Sequence, residues 1–177
     1  MAQLIRNRSV AHDTWQLLEP GAGEAPAAFV QSLPAEGDVI VPLSVWQGAR
    51  AELSGRAGRT AVWLDGPDDP EAIAADLDRL LLVAVMFRSF GDGRGFSTAR
   101  LLRERYGYRG ELRAVGYVIR DWLLFMERCG FDAFLLREGE DPAGALESFA
   151  ELPQGYQASV TEPLPLFRRR LAEGFQA

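Results

Sequence analysis

The run "LLVAVMF", residues 81–87, is apolar at every position, and no other stretch constrains the fold as much. A strand with one wet face alternates apolar and polar residues. An unbroken run of this length fits a strand covered on both faces, as in a parallel sheet. Comparable runs recur at "DVIVPLSVW" from Asp38, "TAVWL" (60–64), "ELRAVGY" (111–117) and "FDAFLL" (131–136). Each is followed by a helix-like stretch. Ser44 is placed to cap a helix over 45–55 that ends at Gly55. "PDDPEAIAADLDRL" carries Pro70 and acids at its start, a helix is expected over 98–106 closed by Gly107, and "VIRDWLLFMERCG" closes at Gly130. "DPAGALESFAEL" has Pro142 near its start.

Five β–α units predict a single α/β domain with a mostly parallel sheet. Two architectures fit: an open doubly wound sheet, or a partial, degenerate β/α barrel, since eight units need about 200 residues or more. The core domain is expected over 38–152. Residues 1–37 read as an irregular N-terminal segment in which "QLIRN" and "TWQLL" match as a small hairpin. Residues 153–177 read as a C-terminal extension with an arginine triplet.

Composition narrows the chemistry. The net charge of −6 argues against a broad nucleic-acid or anionic-membrane surface, and no apolar run approaches the length of a membrane span. The N-terminus lacks the apolar stretch of a signal peptide, so the cytoplasm is the expected compartment. One cysteine, Cys129, and one histidine, His12, exclude a disulfide within the chain, a four-thiolate cluster and a multi-histidine metal site. All 19 basic residues are arginines. Without lysine there is neither a Schiff base nor a Walker-type phosphate lysine. Anion recognition would fall to guanidiniums, backbone N–H groups and helix N-termini.

The loop "FGDGRGFSTARLLRERYG", from Phe90 to Gly107, leaves the carboxyl end of the "LLVAVMF" strand, the edge where α/β proteins bind ligands. Its glycines, Gly91, Gly93 and Gly95, offer positive φ and close backbone approach. Ser97 or Thr98 is placed to cap the next helix, with Arg100 in its first turn. Arg88 precedes the loop and Arg94 lies in it. Arg120 and Asp121 open the next helix at the same sheet edge. The candidate ligand-binding set is therefore Asp92, Gly93, Arg94, Gly95, Ser97, Arg100 and Arg120. Asp92 is the one carboxylate placed for acid–base work. The plain alternative is a turn, a cap and solvated arginines. Trp122, Phe125 and Met126, at helical spacing, read as a core face, Cys129 as a buried thiol and His12 as a surface residue. No metal site and no cofactor fingerprint is present; a flavin held by backbone and arginines is left open.

The stretch Phe90 to Phe134, "FGDGRGFSTARLLRERYGYRGELRAVGYVIRDWLLFMERCGFDAF", resembles the bacterial domain-of-unknown-function family 934, whose members carry the label of an oxidoreductase of sulfite reduction. The resemblance extends more weakly to "VIVPLSVW" and "AVWLDGPDDPEAIAADL", covering most of residues 38–136. Matching positions are Asp92, Gly93, Arg94, Gly95, Ser97, Arg100, Arg103, Arg113, Gly116, Arg120 and Asp121. Tyr117 stands where an aspartate is common, and Arg88 where a proline is common. Members tend to be encoded beside sulfite reductase and phosphoadenylylsulfate reductase. The resemblance thus implies an accessory role in assimilatory sulfate and sulfite reduction, with sulfite reductase or a small oxyanion as the partner of the loop. Two rival expectations stand beside it. One is an enzyme on a small anionic or phosphorylated substrate, with Asp92 as acid/base and Arg94, Arg100 and Arg120 as the clamp. The other is a self-associating domain, a homodimer for example, whose loop is only a turn.

Overall fold

The computed structural model describes residues 3–152 and 154–174. Residues 1, 2, 153 and 175–177, which belong to the two terminal segments delimited above, lie outside them. Among the described residues, eight strands form one sheet: β1 (Leu4–Arg6), β2 (Ser9–Ala11), β3 (Trp15–Leu17), β4 (Asp38–Pro42), β5 (Thr60–Leu64), β6 (Leu82–Phe87), β7 (Glu111–Gly116) and β8 (Ala133–Leu135). Their order is β2-β1-β8-β7-β6-β5-β4-β3. From β3 to β8 every neighbouring pair is parallel, and β1 runs antiparallel to both β2 and β8.

This order decides between the two architectures. A doubly wound sheet reverses its strand order at a switch point. Here six parallel strands follow one another in chain order, as in a β/α barrel. The ends of the chain path show how far the sheet curls. Ala11 ends β2 on one edge and Trp15 begins β3 on the other. Four residue steps reach about 14 Å at most. A flat eight-stranded sheet would hold its edge strands about 34 Å apart. The sheet is therefore bent into a half-barrel, and residues 12–14 form a strap across its open side.

The expected hairpin is corrected by this pairing. "QLIRN" pairs with Ser9–Ala11, while "TWQLL" lies on the opposite edge beside β4. Asn7 and Arg8 turn the β1–β2 hairpin with φ of 50° and 59°, the paired positive values of a tight hairpin turn. The N-terminal segment is thus part of the sheet rather than an irregular leader.

Because strand order is sequential, the helical connections between the parallel strands, and the helix after β8, lie on the convex face. They are α1 (Pro26–Ser32), α2 (Leu43–Gly48), α3 (Arg50–Ser54), a 3₁₀ turn at Pro70–Asp76, α4 (Arg94–Glu104), α5 (Leu123–Cys129) and α6 (Pro142–Glu147). A final helix, α7 (Leu166–Gly174), lies in the tail. The central strand explains its own composition. Val83, Val85 and Phe87 of β6 face Ala99, Leu102, Leu123 and Met126, whereas Leu82, Ala84 and Met86 face the concave side with Ile40, Ala61, Trp63 and Val115. All six residues of β6 are buried.

Three local expectations differ from the structure. Ser44 is not a cap: α2 begins at Leu43 behind Pro42, and the chain breaks again at Ala49 before α3. The "PDDPEAIAADL" stretch is 3₁₀ rather than α-helical, started by Asp69, whose carboxylate accepts from the Glu71 N–H. The helix after the glycine loop begins at Arg94, not near Thr98.

Candidate functional site at the carboxyl edge of the sheet

The early start of α4 reassigns the loop. Gly91, Gly93 and Gly95 all avoid the left-handed region. Gly95 sits in the first turn of α4, buried against the sheet, where a Cβ would lie 2.7 Å from the Phe87 ring. Its role is close packing rather than ligand approach. The Asp92 carboxylate, not Ser97, accepts from the first helical N–H, that of Arg94, at 3.2 Å. Ser97 is solvent-exposed on α4.

The remaining loop, residues 88–93, faces two ways. On the side towards β5, Asp65, Pro67, Arg88, Ser89, Gly91, Asp92, Gly93 and Arg94 line an open groove of about 650 Å³. Arg94 clasps Asp92 with two parallel bonds, Nε to Oδ1 and Nη2 to Oδ2, each 2.8 Å. This pairing holds the Asp92 carboxyl down to about 2. It is therefore fully ionised near neutral pH and locked to a cation, which suits an anchor and not a general acid or base. Arg88 reaches across two neighbouring strands. Its Nε donates to Asp65 at 2.9 Å, its Nη2 to Glu19 at 2.8 Å, and its guanidinium lies over the Trp63 ring at 5.2 Å. These bonds raise the Arg88 pKa further. Both guanidiniums are substantially exposed, at 42% and 60%.

On its other side the loop presents Phe90, 65% exposed, stacked on Trp122 at 5.3 Å and edge-on to Tyr117 at 6.3 Å. Phe96 continues the cluster, touching Trp122 and Phe125. The expected core face is thus only partly a core. Met126 is buried and Trp122 half-buried, but Phe125 stands in solvent. Tyr117, the residue standing where an aspartate is common, carries the Arg137 guanidinium 4.7 Å above its ring.

Of the seven residues expected to bind ligand, the groove brings together Asp92, Gly93 and Arg94. Gly95 and Ser97 are placed as described above. Arg100 points outward and pairs with Glu104 at 2.8 Å, one turn along α4. Arg120 lies at the same sheet edge but is turned towards α6. It donates to the Gly144 carbonyl at 3.0 Å and pairs with Glu151. The four-residue clamp of Asp92, Arg94, Arg100 and Arg120 is not assembled.

Three groove residues escaped the sequence reading, namely Asp65, Pro67 and Ser89, as did Glu19, which Arg88 reaches, and Arg88 was noted without a role. Their shared signal is position: Arg88 directly follows β6, Asp65 directly follows β5, and Glu19 lies just after β3. Cys129 is half-buried and its thiol is pushed up by burial, so it stays protonated. His12 is exposed on the strap. Among the described residues, no helix is long and apolar enough to cross a membrane.

No curated protein and no solved structure matches this chain. The family model described as "Bacterial protein of unknown function (DUF934)" matches residues 61–167, from the middle of the sheet to the start of α7 and including most of the groove. The chain belongs to this bacterial DUF934 family.

Proposed function

We propose that this chain is an accessory protein of assimilatory sulfite reduction that docks on the sulfite reductase through the groove between Asp65 and Arg94. One observation carries the choice of surface. Arg88 and Arg94 are held extended by carboxylates, yet remain exposed at the carboxyl edge of a parallel sheet. Arginines so placed are preorganised, and arginine is enriched at protein interfaces.

The charge balance favours a protein over a free oxyanion. Around the two guanidiniums stand three carboxylates, Glu19, Asp65 and Asp92, so the groove is net negative by one. Sulfite or sulfate would have to displace a carboxylate already held in place. A protein surface that supplies both signs can extend the Arg–carboxylate pairs without leaving any charge bare. The ionised, clamped Asp92 and the dispersal of Arg100 and Arg120 weigh against the enzyme reading.

Co-purification of the tagged chain with the sulfite reductase hemoprotein is expected, and an Arg88→Ala/Arg94→Ala double variant should lose it. A deletion strain should grow poorly on sulfate as sole sulfur source; normal growth would sink the reading. Ordered sulfate at Arg94 in a soaked crystal would shift the assignment to an oxyanion.

A further inference from the structure

Exposed apolar side chains gather in two places. The first is the tail, where Leu152, Tyr156, Leu164, Phe167 and Leu171 are 49–69% exposed. Phe167 and Leu171, four residues apart on α7, form one stripe, and Leu164 lies just ahead of the helix, before Pro165. The tail is held from within: the Leu166 N–H donates to the Tyr156 carbonyl at 3.0 Å, and Arg169 binds the Gly155 carbonyl and Glu162. The second place is the aromatic cluster of Phe90, Phe96, Trp122 and Phe125.

These two patches flank α5. The cluster gathers at its N-terminal end. The tail crosses its C-terminal end, where the Val160 N–H donates to the Arg128 carbonyl and Arg128 Nη2 to the Gln157 carbonyl. From Trp122 to Cys129 is about 10 Å of helix. Charge follows the same division. Asp121, 78% exposed, lies at the aromatic end with Arg120 3.7 Å away, an arginine that also pairs with Glu151. Arg128, Arg168 and Arg170 mark the tail end, and the latter two form no ion pair among the described residues.

We propose that the occupant of both patches is a second copy of this chain, in a two-fold dimer with α5 antiparallel to its copy. One rotation axis near Phe125 then lays each tail stripe on the other protomer's aromatic cluster, twice over, and closes the assembly. It also brings Asp121 towards the arginines of the opposite tail. The alternatives fit less well. Tail on tail sets Arg168 and Arg170 against their own copies, a like-charge contact. Cluster on cluster leaves the tail stripe in water, an exposed patch with no partner. The docking groove opens on the β5 side of the loop, so this inference stands apart from the partner proposed above.

Sedimentation equilibrium of the full chain tests it. The expected mass is twice 19.5 kDa. Phe125→Glu and Phe167→Glu are both surface changes, and circular dichroism should show both variants folded. Each should weaken dimerisation about tenfold or more. Mixing the two variants is decisive. A reciprocal tail-on-cluster dimer retains one intact contact in the mixed pair, so heterodimer should reappear. A monomeric wild type, or wild-type dimer unaffected by both changes, overturns the proposal. So does a mixture no more dimeric than its components, which would point to like-on-like pairing.

Discussion

Two pairs of arginines at opposite ends of the sheet, Arg113 and Arg103 at one and Arg88 and Arg94 at the other, are used in opposite ways. At the amino end, Arg113 of β7 is 1% exposed. Its Nη1 reaches both Asp13 oxygens at 2.9 Å, its Nε donates to Glu111 at 2.8 Å, and its Nη2 lies 2.7 Å from Glu111 as a charge contact without hydrogen-bond alignment. Asp13 lies on the strap, so this pair ties the open side of the half-barrel to its concave wall. Arg103, nearby at the end of α4, binds the carbonyls of Gly130, Tyr108 and Gly110 and the Asp132 carboxylate. At the carboxyl end, Arg88 and Arg94 are also paired, but each keeps a face in solvent. The carboxylates record the contrast. Burial pushes Asp132 up in spite of Arg103, whereas the exposed clasp with Arg94 holds Asp92 down to about 2. Arginines whose donors all point inward maintain a fold; arginines with donors left over can recognise something else.

The largest expected effect comes from breaking the inward-facing set. Arg113→Ala strands Asp13 and Glu111 without their cation, and a broken buried pair typically costs about 3–5 kcal/mol. Urea denaturation should show a loss of that order, and a loss no greater than for a surface arginine would mean that the strap is not held there. Gly95→Ala comes next. Its Cβ would press on the Phe87 ring and overpack the core, at about 1–3 kcal/mol, offset by up to about 1 kcal/mol of helix propensity. A net gain in stability would show that α4 can move off the sheet.

The outward-facing set should behave differently. In Arg94→Ala the melting temperature should stay close to that of the wild type, while Asp92, followed by NMR titration, should rise from about 2 towards the ordinary carboxylate range. The sign of the linkage follows. A depressed carboxyl favours the folded state above its unfolded value of about 3.9, and that contribution disappears as pH falls towards the folded value. An Asp92 titration unchanged by the substitution would contradict the clasp.

Much of the fold was legible because parallel strands buried on both faces announce themselves as unbroken apolar runs, as in β5, β6 and β8. The choice between a half-barrel, one of the two architectures expected, and an open sheet was not, since alternation alone says nothing about whether each new strand joins the same side. Nor were β2 and the pairing of β1 and β3: "QLIRN" and "TWQLL" were read as strands, but three residues apiece are too short to show which partner each takes. At the site, Asp92, Gly93 and Arg94 stood out as a local motif. Glu19 and Asp65 did not, because the groove draws them from different strand ends. The burial of Arg113, named only as a matching family position, was illegible for a related reason: it depends on Asp13, a residue 100 positions away.

The most direct test of the contrast is binding, measured side by side for the two arginine sets. Purified sulfite reductase hemoprotein would be titrated, by calorimetry or surface plasmon resonance, with the wild type, Arg88→Ala/Arg94→Ala, and Arg100→Ala as an exposed arginine outside the groove. We expect binding by the wild type and Arg100→Ala, and none by the double variant although its melting curve matches the wild type. Equal binding by all three proteins, or binding by none, would contradict the assignment of the carboxyl-edge groove as the docking surface.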